Sequence, residues 1–412
     1  MEQIESWQLT NPGIRIPGFS SKLMSRKKKK LPLWAHVPAY WAVRSAMAVV
    51  SIGDLAGTVE MARSAARAFA SAAFNRKRLQ RAQDNLAVAF PDWSAEHRRE
   101  YSIKAYEHMF TLFVETIAMP RLLSEDGWAR HVRLGAMQDS VRELLSRVAP
   151  QSGPNKPCVL ITGHTGNWEL IGYTMALLGF PMHALFRPAD IRPVDRWLRT
   201  TRQSRGLVLV DKFGAAQSLP KLLDQGFPVG FVADQNGGHR GLFVPYFDRL
   251  ASAYKSIGLL ALKYDTPIVC GQARRLVWER DAVASREKPL DDSMPSAGQV
   301  GFDAWRGEPF RYQIDVVDVI HPADWVDQPD PLFYVTARYR RAIETMVRRA
   351  PEQYLWMHRC WKSRPRHEHQ GRPIPSSMMA KIEALPWMTP EKIRRLIEWT
   401  RRDAAALAAQ SA

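Results

Sequence analysis

The sequence predicts an α/β protein with a mostly parallel central sheet, flanked by helices and preceded by a helical N-terminal part. Two observations predict this class. Between residues 158 and 349, short apolar runs bounded by Gly, Pro or polar clusters alternate with segments of helix length. From 61 to 147, apolar side chains instead recur three and four residues apart, which is the helical period. Strands that alternate with helices of this length form a parallel sheet with helices on its faces.

The elements follow one another in a regular order. We predict strands over 158–162, 182–186, 207–210, 229–233, 268–271 and 312–319. We predict helices over 170–178, 192–205, 215–225, 251–264, 331–349 and 391–409. Each helix stops at Gly, Pro or a polar cluster, which are the usual breakers.

Composition narrows the class of function. The 412 residues carry 58 Lys+Arg against 41 Asp+Glu, so the net charge is +17. Such a surface attracts nucleic acid, anionic lipid or acidic proteins, and charge alone does not separate them. The 14 tryptophans favour a membrane surface, where one ring edge is apolar and the other wet. The three cysteines lie far apart without a Cys-x-x-Cys pair, which indicates a reducing compartment and neither a disulfide framework nor a zinc site.

The chain divides into four parts. Residues 1–30 form a tail ending in the basic run 26–30, and 31–60 form an apolar helical segment. The main domain spans 61–365 with a polar insertion at 280–308, and 366–412 extend beyond it. Arg44 and Asp54 interrupt the apolar segment, and each is costly inside a bilayer. We expect this segment to lie along a membrane surface rather than cross it; the alternative is a buried core helix.

The stretch Gly163-His-Thr-Gly-Asn-Trp-Glu169 carries the strongest chemical signal. It joins a predicted strand to a predicted helix, the place where open α/β sheets bind ligands. His164 and Glu169 converge if the first lies in the turn and the second in the first helical turn. A His held by a carboxylate can take a proton from a hydroxyl. The alternative is a helix-capping loop with an incidental His.

Five stretches in order resemble one known family. They are the loop just described, Asn85-Leu-Ala-Val-Ala-Phe-Pro91, Phe186-Arg-Pro188, Ala233-Asp-Gln235 with Gly241-Leu-Phe-Val-Pro-Tyr-Phe247, and Glu352-Gln-Tyr-Leu-Trp-Met-His-Arg-Cys-Trp-Lys362. Together they resemble the lysophospholipid acyltransferase superfamily, in the branch of the lipid A biosynthesis (lauroyl and myristoyl) acyltransferases. The resemblance covers residues 31–365, and the insertion and the C-terminal extension have no counterpart in it.

The resemblance implies an O-acyl transfer at the inner membrane, on its cytoplasmic face. His164 would deprotonate a lipid hydroxyl, and Glu169 would orient and stabilise its imidazolium. The acyl donor would be acyl carrier protein or CoA thioester as co-substrate, with no further cofactor and no metal. The acceptor would be a phosphorylated glycolipid, a lipid A precursor among them, or a lysophospholipid, and no nucleic acid is expected. The substrate-binding candidates are Gly166, Asn167, Arg187, Arg202, Asp234, Gln235, His358 and Arg359.

Some alternatives remain open at the level of sequence. Arg187 would bind a phosphate of the acceptor or donor through its bidentate fork, and the alternative is a surface arginine without this role. Asp234 and Gln235 would bind substrate, position Arg187 or form a turn. Two alternatives to an acyltransferase are left open. The same His/Glu pair would suit a lipid esterase or thioesterase, and the chain could also be a non-catalytic, basic membrane-binding protein. A serine hydrolase is disfavoured because no Gly-x-Ser-x-Gly elbow occurs.

Overall fold

The computed structural model of the protein describes residues 33–135, 157–189, 191–276 and 308–411. The predicted basic tail and the insertion up to residue 307 lie outside the described residues. The helices are α1 (Leu33–Ile52), α2 (Leu55–Ser71), α3 (Arg76–Ala89), α4 (Ala95–Leu122), α5 (Trp168–Leu177), α6 (Arg192–Gln203), α7 (Ala215–Asp224), α8 (Lys255–Lys263), α9 (Pro331–Arg349), α10 (Arg366–His369), α11 (Ser376–Glu383) and α12 (Pro390–Ser411). The strands are β1 (Val132–Leu134), β2 (Val159–Thr162), β3 (His183–Phe186), β4 (Val208–Asp211), β5 (Val229–Val232), β6 (Leu242–Tyr246), β7 (Arg249–Ala253), β8 (Ile268–Arg275) and β9 (Tyr312–Ile320).

Seven strands form one sheet in the order β1-β9-β8-β2-β5-β3-β4. All neighbours run parallel except β8 and β9, which pair antiparallel. This confirms the predicted α/β class with a mostly parallel sheet and a helical N-terminal part. The strands β2 and β5 are neighbours, with Thr162 paired to Val232 at their carboxyl ends. The loops that follow these two strands therefore meet at one edge of the sheet.

Two local predictions were wrong. The predicted helix 251–264 begins only at Lys255, because residues 249–253 pair with 242–246 in a two-stranded hairpin. Phe247 and Asp248 form its turn with φ of 50° and 53°, a left-handed conformation that closes tight hairpins. The predicted helical region 61–147 also contains β1, which adds a strand to the sheet edge. Short apolar runs do not distinguish strand from helix by periodicity. Pairing with a partner strand decided both cases, the adjacent β6 for residues 249–253 and the distant β9 for β1.

The N-terminal helices pack on the sheet domain. Val50, Leu55 and Val59 are buried in a cluster with residues of α4 and β9. Asp54 caps α2, its side chain accepting a hydrogen bond from the Gly57 N–H at 2.8 Å, which explains why a carboxylate interrupts the apolar segment. Among the described residues, we find no helix that is both long and apolar enough to cross a membrane.

The C-terminal extension packs against the main domain. Asp403 of α12 accepts a hydrogen bond from Arg249 Nε at 2.8 Å and lies 2.7 Å from Arg364 Nη2. Arg364 also binds the buried Glu368 at 2.7 Å through Nε and Nη2. Because breaking a buried ion pair leaves an uncompensated charge, this network couples the extension to the β6–β7 hairpin.

Candidate active site

The site forms where β2 and β5 end. His164 lies two residues beyond Thr162, and Asp234 lies two residues beyond Val232, the residue paired with Thr162. His164 Nδ1 is 2.7 Å from Asp234 Oδ1. An ionised carboxylate only accepts hydrogen bonds, so His164 donates through Nδ1–H and its Nε2 keeps a lone pair. This is the tautomer that a general base requires.

The charges of this pair support each other. Burial opposes the charged form of His164, but the Asp234 charge and hydrogen bond, with a smaller effect from Glu169, raise the pKa of the imidazole above its ordinary value. Asp234 is completely buried. Burial alone would raise the pKa of its carboxyl, yet the neighbouring His164, with help from His358 and Arg340, holds it far below the usual range. Asp234 is therefore ionised at neutral pH and stabilises the imidazolium that forms when His164 takes a proton.

The structure corrects the predicted partner of His164. Glu169 is in the first turn of α5, as expected, but its carboxylate accepts hydrogen bonds from Arg202 Nε at 2.7 Å and from Trp168 Nε1 at 3.1 Å. A second contact joins Arg202 Nη2 to the same carboxylate. Asp234 comes closer to His164 because the parallel pairing of β2 and β5 brings their following loops together. The carboxylate that contacts the His164 ring is therefore Asp234 and not the predicted Glu169.

The structure also gives Gly166 and Asn167 roles other than the predicted substrate contacts. Asn167 is completely buried; it caps α5 by accepting from Leu170 N–H at 3.0 Å and donates to Glu115 at 3.2 Å. Gly166 has φ of 56°, and a Cβ there would lie 2.0 Å from the carbonyl oxygen of Ala273. Only glycine fits this backbone approach. Both residues hold the shape of the loop that carries His164.

A buried polar network fixes this loop from behind. Glu115 of α4 is completely buried and receives hydrogen bonds from Asn167, Arg275 and Tyr312. Burial raises the pKa of Glu115, and the Arg275 charge opposes that rise. His108 Nε2 contacts the Gly166 carbonyl oxygen at 3.1 Å. The sequence did not identify Glu115 or His108, since a single acidic or basic residue within a helix has no local signal that it is buried.

A cavity of about 1190 Å³ opens beside His164. Its polar lining includes His164, Glu169, Arg187, Arg202 and Gln235, together with Lys212, Asp224, Lys263 and Asp315. Its remaining wall is largely apolar and comes from strands and helices of both sheet faces, including Leu160, Ile171, Met175, Met182, Leu207, Leu209, Phe231 and Leu260. The volume exceeds the roughly 300–1000 Å³ of common small-ligand pockets. A largely apolar cavity that includes His164 in its lining can hold a long hydrocarbon chain with a polar end at the imidazole.

The C-terminal stretch joins the site through His358. The rings of His164 and His358 are 4.9 Å apart and nearly perpendicular. Burial and the His164 charge lower the pKa of His358 to about 4, so its imidazole is neutral at physiological pH. Asn85 donates to the carbonyl oxygens of Trp356 and His358, both at 2.7 Å, and ties two of the five sequence stretches together. Arg359, also predicted to bind substrate, is exposed and does not line the cavity.

Arg340 of α9 is a site residue that the sequence did not reveal. Its guanidinium is fully buried, donates to the Ala233 carbonyl oxygen at 3.1 Å and lies 4.0 Å from the centre of the Tyr246 ring. It is one of the charges that keep Asp234 ionised. The amphipathic pattern of α9 does not indicate that Arg340 is buried beside the site, because the strand end that it contacts is 107 residues away along the chain.

One group of described residues could hold a metal ion. His164, Asp234 and His358 each offer a ligand atom, and these atoms all lie within 4.8 Å of one another. The group includes both His164 and Asp234, which form the hydrogen-bonded pair described above. An ion bound there would compete with a proton for the His164 imidazole.

The chain is similar in sequence to known proteins. Residues 27–276 match the sequence model of the family described as bacterial lipid A biosynthesis acyltransferase. The chain is 24% identical over 293 residues to a lipid A biosynthesis palmitoleoyltransferase of Escherichia coli (strain K12), covering 71% of this chain and 81% of that protein. A lipid A biosynthesis acyltransferase of Shigella flexneri matches with the same identity and coverage.

Proposed function

Because the chain belongs to the bacterial lipid A biosynthesis acyltransferase family, we propose that it moves a fatty acyl chain from an acyl thioester to a hydroxyl of a lipid A precursor. The family establishes an acyltransferase that acts on a lipid A-like acceptor. The donor, either acyl carrier protein or CoA thioester, and the residues that perform the transfer are parts of the proposal. The observation that carries it is the His164–Asp234 hydrogen bond beside a large and mostly apolar cavity that His164 lines.

In the proposed step, His164 Nε2 takes the proton of the acceptor hydroxyl as its oxygen attacks the thioester carbonyl carbon. A carbon–oxygen bond forms and the carbonyl oxygen becomes an oxyanion. Collapse of this intermediate breaks the carbon–sulfur bond, and the imidazolium returns the proton to the leaving thiolate. Asp234 stabilises the imidazolium between these two proton transfers because it is ionised and 2.7 Å from Nδ1. No acyl-enzyme is required.

The polar rim of the cavity supports binding of a phosphorylated substrate. Arg187 follows β3 directly and lines the cavity. Arg202 also lines it, but its guanidinium is held by Glu169 and stacks over the Phe186 ring at 4.9 Å. Arg187 is a candidate for a phosphate contact because its guanidinium can offer a bidentate fork at the cavity lining, and Glu169 with Arg202 forms an ion pair in the same lining. This assigns Glu169 to positioning the rim rather than to orienting the base.

Attachment to the membrane surface is the second part of the proposal. Val37, Trp41 and Ile52 of α1 are large apolar residues that are 60%, 62% and 87% exposed. Their spacing places them on one side of the helix. We expect this side of α1 to enter the lipid interface on the cytoplasmic face, which is the face that the cytoplasmic acyl donors reach. The basic run 26–30 would add electrostatic attraction to anionic lipid.

The deciding experiment compares products. Purified protein receives acyl carrier protein or CoA thioester with and without a lipid A precursor, and mass spectrometry follows acylated lipid and free fatty acid. A transferase forms acylated lipid, and His164→Ala lowers its rate by roughly two to four orders of magnitude. Free fatty acid formed at the same rate with or without acceptor would instead indicate an esterase or thioesterase. Full activity of the His164→Ala variant would refute the assignment of the base.

A further inference from the structure

The three potential ligands at the site have the composition of a metal centre. Two imidazoles and one carboxylate form the protein ligands of many catalytic zinc sites, which keep a fourth position open. Here the ligand atoms of His164, Asp234 and His358 lie within 4.8 Å of one another. Zinc ligands in a tetrahedral site are closer than this, so binding of an ion requires the three side chains to move inward.

Two polar atoms of this group lack a hydrogen-bond partner in the described part of the chain. Within the described parts of the chain, Asp234 Oδ2 and His358 Nδ1 are buried side-chain atoms without a hydrogen-bond partner. Asp234 is completely buried, and its other oxygen is taken by His164. Buried polar atoms are normally paired, so these two atoms retain the capacity to contact a bound group. A carboxylate oxygen and an imidazole nitrogen are both atoms that ligate transition metals.

The surroundings set the character of the site. His164 lines the open cavity, which gives an ion a path and leaves room for a fourth ligand from solvent. Glu169 adds negative charge at the cavity wall, but its carboxylate is shared with Arg202. The buried Arg340 is close enough to lower the pKa of Asp234 and would repel a dication. Because Asp234 and Glu169 attract a cation while Arg340 repels it, we expect an ion to bind reversibly rather than to be a permanent structural ion.

We propose that a transition-metal dication of the zinc type binds His164, Asp234 and His358 and inhibits acyl transfer. Whichever ring nitrogen of His164 binds the ion, catalysis stops. Ligation through Nε2 occupies the lone pair of the base, and ligation through Nδ1 removes the hydrogen bond that sets its tautomer. Binding itself requires only these side chains, whereas inhibition also rests on the proposed function of His164.

The test measures binding without substrate. Full-length protein is freed of metal with a chelator and titrated with Zn²⁺ by calorimetry and with Co²⁺ by visible absorption. We expect one ion per chain and the intense bands of low-coordinate Co²⁺. His358→Gln and, separately, Asp234→Asn should weaken Zn²⁺ binding by about 100-fold or more, because loss of even an outer-sphere partner costs 10- to 100-fold. Thermal unfolding confirms that each variant is folded.

A surface pair supplies the matched control. His239 and His369 are exposed, and their rings are 6.4 Å apart, so they are a competing place for an added metal. His239→Gln should leave Zn²⁺ affinity and the Co²⁺ spectrum unchanged. Absence of stoichiometric binding, or binding lost in His239→Gln and kept in folded His358→Gln, would overturn the proposal. Zn²⁺ that binds at the site should also block acyl transfer, reversibly with chelator; a parent enzyme that stays fully active with the ion bound would refute the inhibition.

Discussion

Replacing Asp234 by Asn tests the central feature of the site. The carboxylate is completely buried, 2.7 Å from His164 Nδ1, and ionised at neutral pH. An amide of the same shape carries no charge and can donate to Nδ1, which moves the imidazole proton to Nε2 and removes the base. Loss of the orienting carboxylate in a His-based site costs roughly 10⁴-fold in turnover, or about 5.5 kcal/mol of barrier. We expect Asp234→Asn to lower kcat by roughly 10³- to 10⁴-fold.

The pH dependence of activity provides a second test of the Asp234→Asn substitution. His164 acts when neutral, so activity falls as pH drops through the pKa of its imidazole. Burial lowers that pKa, but Asp234 outweighs burial and raises it above the ordinary value. The acid limb of kcat/KM in the parent should therefore lie above about 6.5, the ordinary His value. In Asp234→Asn the residual activity should show this limb at lower pH, because the negative charge that favoured the imidazolium is gone.

Two further variants make the test specific. Glu169→Gln should cost only about tenfold, the size of one charge-assisted hydrogen bond, because its carboxylate binds Arg202 rather than His164. Asp318→Asn removes a carboxylate that pairs with Arg338 and does not line the cavity, so activity should not change. Steady-state assays with saturating donor measure all three. If Glu169→Gln loses more activity than Asp234→Asn, or Asp234→Asn keeps the parent pH profile, the reasoning is refuted.

Three other predictions concern substrate and membrane. Arg187→Ala should raise the KM of the phosphorylated substrate, and Arg187→Lys should not fully restore it because a lysine lacks the bidentate fork; equal KM values in all three proteins would exclude the contact. Gly230 lines the cavity, where an added Cβ would lie 2.8 Å from Met182 Cε, so Gly230→Val should shift the preference in a mixture of donors towards shorter acyl chains. An unchanged chain-length profile would show that the chain lies elsewhere. Val37→Asp with Trp41→Asp should release the protein from vesicles of anionic lipid in a sedimentation assay, since each side chain contributes about 1.5–3 kcal/mol when buried. Retention of this double variant on the vesicles, with the parent protein as control, would show that α1 does not enter the lipid.

Substitution on α1 is a sharper membrane test than deletion of residues 1–59. Val50, Leu55 and Val59 belong to a buried cluster with α4 and β9, so that deletion would expose part of the core. Removing buried aliphatic side chains costs about 2–5 kcal/mol each, which is a large part of a typical domain stability. The exposed Val37 and Trp41 contribute nothing to that cluster.

The sequence alone determined the fold class, the order of most elements and the loop that carries the base. The apolar runs at 158–162 and 229–233 were placed as strands within a residue of their observed bounds. The loop 163–169 was placed correctly between a strand and a helix because Gly, Asn and the apolar run beyond it are local signals. These features depend on residues within a few positions of one another, which is the range over which propensity and periodicity act.

Only the tertiary structure determined which carboxylate forms the hydrogen bond with His164. Asp234 is 70 residues away along the chain, and it meets His164 because β2 and β5 happen to be neighbours in the sheet. Glu169, five positions from His164, was the natural choice from sequence but turns to Arg202 on α6. Glu115 and Arg340 were missed for the same reason. Strand order, and therefore the contacts between distant residues, is set by packing of the whole domain, and no local pattern encodes it.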